Sequence, residues 1–326
     1  MHSHVLLSHA ALRRNYQDLS FCPQNNLVDL ALSRSRSVQA LTALFPEANL
    51  MDAKEPGASQ LPFLQSALLP QEISQLSQAA LFVDDASGFS ATLNMDEHLV
   101  LRQTGRDAPV SALVSSLRET EEKFTKSGLS FAQDARFGYL SYRPVLAGSG
   151  LYISLIMHLP MLHFLKQMRP LTEGLKEKGC VVAPLAPTSG RNPARLYVLS
   201  NAGSHGKSDE DIINQVLSGM EMLADKEQAI REKALAQKEQ GTVADQAWRA
   251  YGVLKYARRL TEHDLLTQWN SLRIGVMGEI LPLKLSRVDD LLHFANDAAF
   301  YQEGSKANDF VFRRAEAVRR VLAGGT

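Results

Sequence analysis

The sequence predicts an α+β fold: an antiparallel β-sheet with helices packed on it, followed by a small all-α domain. Three observations carry this. Short alternating apolar segments bounded by turn residues run through residues 1 to about 205, two of them are joined by a hairpin-length link, and helix-start signatures dominate the remainder.

The candidate strands are Ala91–Asn94, Leu99–Arg102, Phe137–Tyr142, Leu151–Met157 and Arg195–Ser200. The first two flank Met95-Asp96-Glu97-His98, a link too short for a crossover helix, so these neighbours run antiparallel. Beyond residue 205, Ser208 with Asp211, Thr242 with Asp245, Thr261 with Asp264 and Ser286 with Asp289 match the Ser/Thr-x-x-acid pattern that satisfies free N–H groups at a helix start. Ile212, Val216, Met220 and Leu223 then form one apolar stripe that packs on the sheet. The continuation DKEQAIREKALAQKEQG reads as a solvated helix end and linker. It divides the chain near Gly241 into residues 1–241 and 242–326. Trp248, Tyr251, Leu254, Leu265, Leu266, Trp269, Leu272, Leu291, Leu292 and Phe294 supply a core for the second part.

Composition narrows the function. A chain of 326 residues, 45% apolar, has enough material for two cores. Its 35 Lys+Arg balance 35 Asp+Glu, which excludes nucleic-acid binding by broad phosphate neutralisation. The sequence lacks a leader pattern and a long uncharged apolar span, so a soluble, cytoplasmic protein with no membrane contact is expected. Cys22 and Cys180 have no paired spacing, which argues against a disulfide framework or a cysteine zinc site.

Several residues are chemical candidates, each with a structural alternative. Gly148-Ser149-Gly150, after a strand, fits a phosphate cradle or a plain turn, and lacks the Lys-Ser/Thr of a P-loop. His2, His4 and His9 lie on what reads as a mobile terminus with no carboxylate beside it, so no metal is expected. His158 and His163 read as packing residues. Asp96-Glu97-His98 allows acid/base work or is a solvated hairpin tip. Arg34 and Arg36, in LSRSRSV, would share one side of a strand and clamp phosphate oxygens, or form an exposed basic edge.

The order of these segments is more informative than any one of them. Ser33-Arg34-Ser35-Arg36, Asn94-Met95-Asp96-Glu97-His98-Leu99, GYLSYRPVLAGSGLYISLIMHLPML, Leu199-Ser200-Asn201, HGKSDEDII, AWRAYGVLKYARRL and SLRIGVMGEILPL together resemble the ATP:guanido phosphotransferases. Within that group the chain is most similar to the bacterial protein-arginine kinases. The resemblance implies a glutamine-synthetase-like sheet domain carrying the nucleotide site, then a helical domain for homodimerisation and phosphoarginine docking. It also implies where the chemistry should sit. Arg34 and Arg36 match one arginine pair of the family, whereas its other nucleotide-binding arginines fall at Val100, Tyr152 and Ala183. Asp96 stands for one catalytic glutamate, Thr188 for the other and Arg143 for the substrate-contacting cysteine. A fixed cation at Arg143 would repel a guanidinium about 4 Å away by roughly 4 kcal/mol at an effective dielectric of about 20. In the docking motif Arg314 survives, while Phe310 takes the place of the first arginine.

The expectation is therefore a pseudokinase that acts through proteins, such as an active arginine-kinase paralogue or its regulators, with no cofactor. In a sharper form, Arg143 pairs with Asp96 or Glu97 and closes the pocket. The alternative is a working magnesium-ATP-dependent kinase with a rewired site, drawing on cations such as Arg136 or Arg191.

Overall fold

Strand β1, Val5–Arg14, lies inside the sheet, bonded to a neighbour on each side. The N-terminal segment that reads as a mobile terminus is thus part of the framework. The computed structural model describes residues 3–21, 26–53, 63–68, 77–185, 192–236, 241–300 and 307–323. After β1 come α1 (Leu27–Leu44), β2 (Asn49–Asp52), α2 (Phe63–Ser66), β3 (Ala80–Asp84), β4 (Phe89–Leu93) and β5 (Leu99–Gly105). Then follow α3 (Val110–Lys126), the short β6 (Gln133–Asp134) and β7 (Gly138–Tyr139), β8 (Leu151–His158), α4 (Pro160–Phe164), α5 (Met168–Glu177), β9 (Cys180–Pro184), β10 (Leu196–Asn201) and α6 (Asp209–Leu235). The helical part holds α7 (Thr242–Tyr256), α8 (Glu262–Met277), α9 (Leu285–Asp290) and α10 (Ala307–Ala323). The 8-stranded sheet has the order β2-β3-β4-β5-β1-β8-β10-β9, and every neighbouring pair is antiparallel.

Side chains alternate across this sheet, which gives it two unlike faces. On the first, Ala10 and Leu12 of β1, Leu101 of β5 and Ile153 of β8 meet Leu117 of α3 and Val216 and Leu223 of α6 in one apolar core. Each fully buried Leu, Ile or Val there contributes about 1.5–3 kcal/mol. The second face is apolar only towards its margins. Leu81 and Val83 pack with Met95 near one edge, and Leu7, Ile156 and Leu196 join Trp269 and Leu292 of the helical part on the other side.

The helical part is fastened there by buried polar groups as well. Arg273 donates to Asp289 at 2.7 Å, to the Ser3 carbonyl at 2.7 Å and to His158 Nδ1 at 3.2 Å. Arginine can only donate, so His158 Nδ1 accepts and its Nε2–H donates to Asn270 Oδ1 at 2.9 Å. Burial, with the Arg273 charge, pushes the His158 pKa down and keeps the ring neutral.

Several local readings need correction. Arg34 and Arg36 lie on helix α1, because Leu30, Ser33, Ser37 and Leu41 form its buried stripe and the Ser-Arg alternation only mimics a strand. Ser208 and Thr261 do cap α6 and α8 in full capping boxes. Thr242 and Ser286 do not cap: the preceding Gly241 and Lys284 occupy those positions and make no side-chain cap bond. The charged continuation of α6 stays helical to Leu235 and buries Glu227, Arg231 and Leu235. Strand Phe137–Tyr142 shrinks to Gly138–Tyr139. Trp248 is 50% exposed rather than core. Among the described residues no helix is long and apolar enough to cross a membrane.

Candidate functional site

The polar stretch of the second face is built by register. Arg13 lies opposite Val100, Ala11 opposite both Arg102 and Tyr152, and His9 opposite both Thr104 and Ser154. Thr92 and Ser90 of β4 continue the face beside Val100 and Arg102, and Ser200 of β10 continues it beside Ser154. Val198 pairs with Ile156 and with Ala183, so Ala183 belongs to this face too.

Two cations dominate it. Arg102, 6% exposed, reaches His9 Nε2 at 3.4 Å and Thr92 Oγ1 at 3.5 Å, while its Nε has no partner. Both contacts sit at the long limit of a hydrogen bond. Burial lowers the Arg102 pKa to about 10, with repulsion from Arg13 adding to the shift, so the group stays charged at neutral pH. Arg13 stacks over the Tyr152 ring at 4.6 Å and leaves its buried Nε without a partner. Among the described residues, neither arginine forms an ion pair with a carboxylate. His9 is held neutral by burial and by these two charges. With Nε2 accepting from Arg102, its Nδ1–H donates to Ser154 Oγ at 2.9 Å.

The hairpin tip is divided between surface and core. Asp96 is exposed. Glu97 is 1% exposed and accepts hydrogen bonds from Asn15 Nδ2 and Ser141 Oγ. His98 accepts from the Tyr16 N–H at 3.1 Å and donates from Nε2 to the Ser20 carbonyl at 3.0 Å, and burial keeps its pKa low. These three side chains therefore do not assemble into one acid/base group. Arg143 is exposed and forms no ion pair with Asp96 or Glu97, so the closed pocket expected from that pairing is not formed.

The glycine loop turns a backbone carbonyl towards two arginines. The Ser149 carbonyl accepts from Arg14 at 3.2 Å and Arg118 at 3.4 Å, and Gly148 exchanges two backbone bonds with Tyr139. Gly150 has φ +68°, and a Cβ there would lie 2.5 Å from Arg14 Nη1, so close packing on that guanidinium requires glycine.

Residues 39–230 match the model of the ATP:guanido phosphotransferase C-terminal catalytic domain. The chain belongs to the ATP:guanido phosphotransferase family. A protein-arginine kinase of Clostridium botulinum is 26% identical over 80% of this chain and 78% of its own length. One of Staphylococcus saprophyticus is 25% identical over 74% and 71%. Among solved structures, a lombricine kinase aligns with a TM-score of 0.57 at 16% identity, covering 72% of this chain and 69% of that one. The duplicated taurocyamine kinase of Schistosoma mansoni aligns at 0.60 and 16%, covering 81% of this chain and 38% of its own.

The family resemblance of the sequence bears on the second face. Val100, Tyr152 and Ala183, the positions where the family resemblance puts arginines, all fall on it. Arg34 and Arg36 are occupied elsewhere: Arg34 pairs with Asp52 at 3.0 Å, and Arg36 grips Asp18 at 2.7 and 2.8 Å. Arg314, 1% exposed, donates to the Phe294 and Leu260 carbonyls and to Asp297, and so works as an internal brace. Phe310 is buried, and Phe312 is 50% exposed beneath Arg259. Thr188, Arg191, His2 and Cys22 lie outside the described residues. Arg136 is exposed at the β6–β7 turn. Among the described residues no His, Cys, Asp and Glu cluster is arranged to hold a metal.

Sequence reasoning missed Arg13 and Arg102, and it read His9 only as part of a mobile terminus. Arg102 was findable, since it stands two positions after Val100 on one strand and therefore shares its face.

Proposed function

We propose that this chain is a cytoplasmic, non-catalytic relative of the protein-arginine kinases that acts by binding other proteins. The observation that supports this reading most is the chemistry of the second face. Val100, Tyr152 and Ala183 are uncharged at the positions where the family resemblance puts arginines, and positioned cations on the equatorial oxygens are most of what such catalysts supply. Losing one preorganised charge-stabilising contact costs about 10²- to 10³-fold in rate. The carboxylates agree. Asp96 is exposed, and Glu97 is already committed to Asn15 and Ser141. Magnesium-ATP thus meets a set of residues that fits a phosphate group and does not fit transfer.

The helical part offers a surface for a second copy or a kinase paralogue through Tyr256, 70% exposed, together with Trp248 and Phe312. The test is incubation with magnesium-ATP and an arginine-rich protein, followed by mass spectrometry for phosphoarginine. No product above a heat-inactivated control is expected. Turnover that disappears in Asp96→Ala would end this reading and establish a working kinase.

A further inference from the structure

We infer that Arg13 and Arg102 form an oxyanion site that holds a phosphate group on the second face of the sheet without transferring it. This rests on the non-catalytic reading above and names what the face still binds. The two cations flank Val100: Arg13 lies directly across from it on β1, and Arg102 follows two positions later on β5. The charge missing at Val100 is therefore restored from neighbouring positions on the same face.

The fully buried arginines show the contrast, while Arg231, 7% exposed, is met by the Gln228 amide oxygen and the Met277 sulfur. Arg14, Arg273 and Arg314 are each no more than 1% exposed, and each meets a carboxylate, respectively Glu121, Asp289 and Asp297. That is the ordinary condition for a buried guanidinium, because an uncompensated buried charge is costly. Arg102 is almost as deeply buried and meets only a neutral imidazole and a hydroxyl, both at the long limit. Asp96 and Glu97 attract Arg13 from a distance without bonding to it, and Asp96 does the same for Arg102. Arg143 adds a further repulsion on Arg13.

The chemistry of the lining selects the ligand. A guanidinium presents a planar fork of donors that matches phosphate oxygens, and two such forks suit a dianion better than a carboxylate. His9 remains neutral and Thr92, Ser154 and Tyr152 add polar groups, so the lining can donate hydrogen bonds without adding negative charge. The phosphate group is either free, as phosphate or pyrophosphate, or part of a nucleoside triphosphate.

Thermal unfolding and ³¹P line broadening of the full chain with sodium phosphate, pyrophosphate or ATP, without magnesium and at matched ionic strength, separate these sources. Saturable stabilisation is expected, with affinity at least about tenfold weaker in both Arg102→Gln and Arg13→Gln. It should be unchanged in Arg249→Gln, an exposed α7 residue whose side chain pairs with Asp245. Arg13 is the less buried of the two, which keeps the test open should Arg102→Gln fold poorly. A response to ATP alone assigns the group to a nucleotide. An equal response to pyrophosphate shows that no nucleoside is needed. No saturable effect from any of the three, or an effect that persists in both variants, overturns the site. Absence of binding would leave the non-catalytic reading standing, whereas phosphoarginine formation would end that reading and leave the anion site intact.

Discussion

Arg13 and Arg14 are neighbours on one strand, and the alternation of that strand sends them to opposite worlds. Arg14 enters the first face, where Glu121 takes its charge, Arg118 bonds the other oxygen of Glu121 at 2.7 Å, and Asp209 holds Arg118 at 2.8 Å. The Tyr139 ring covers the Arg14 guanidinium at 3.5 Å. Arg13 enters the second face, lies on Tyr152 and has no carboxylate in contact. Charge that is matched on folding is architecture. Charge left for something else to match is where a ligand belongs.

The largest effect that tests this contrast is Arg14→Met. It leaves the buried Glu121 carboxylate with Arg118 as its remaining ion-pair partner and should cost about 3–5 kcal/mol in urea unfolding. Arg13→Gln should cost less than about 1 kcal/mol in the absence of phosphate. Equal costs would erase the distinction between the faces.

Glu227 sharpens the comparison from the side of the anions. It accepts the Met161 and Leu162 N–H groups at 2.9 Å, yet burial raises its pKa to about 7 from 4.5. The folded state therefore holds this proton more tightly than the unfolded state. Stability from this group is complete below pH about 4.5 and is lost as pH rises to about 7, by roughly 2–3 kcal/mol. The buried His9 and His158 work in the opposite sense: their folded pKa values are depressed, so they cost stability as pH falls below about 6.5. Between pH 5 and 7 the two trends offset each other. Glu227→Gln should remove the first, leaving stability that climbs with pH when unfolding free energies are compared at pH 5, 6 and 7.

Arg102→Met is the next smaller change. Without phosphate it should be neutral or stabilise by about 1 kcal/mol, because an uncompensated buried charge is replaced by an apolar side chain of similar length. A loss of several kcal/mol would show that the residue is a brace. Smallest of all, Arg36→Gln on the exposed side of α1 should change the melting free energy by no more than about 0.5 kcal/mol.

Much of the sheet could be read from the sequence because several strands are short runs of β-branched, aromatic and leucine residues between turn signals. β4, β5, β8 and β10 fall where these runs and turn residues put them. β1 escapes that logic. It is buried on both faces, so Leu-Leu-Ser-His-Ala-Ala-Leu shows no alternation, and its alanines are weak strand formers. α1 misleads for the complementary reason: its buried stripe includes Ser33 and Ser37, and Ser37 is there to bond the Tyr16 hydroxyl at 2.8 Å. The candidate face was reached in the sequence through Val100, Tyr152 and Ala183, the positions where the resemblance puts family arginines. The cations that share their face were not, since pairing β1 to β5 and β8 is a tertiary fact.

The position of β1 also bears on how the chain is made. The inner strand leaves the ribosome before either of its partner strands, and His9 must wait for Ser154, 145 residues later, before its ladder can close. Until then at least one edge of a largely apolar ribbon is open to any passing strand, and such long-range pairing is slow. Synthesis of this protein should therefore lean on chaperone protection of β1 until β8 emerges.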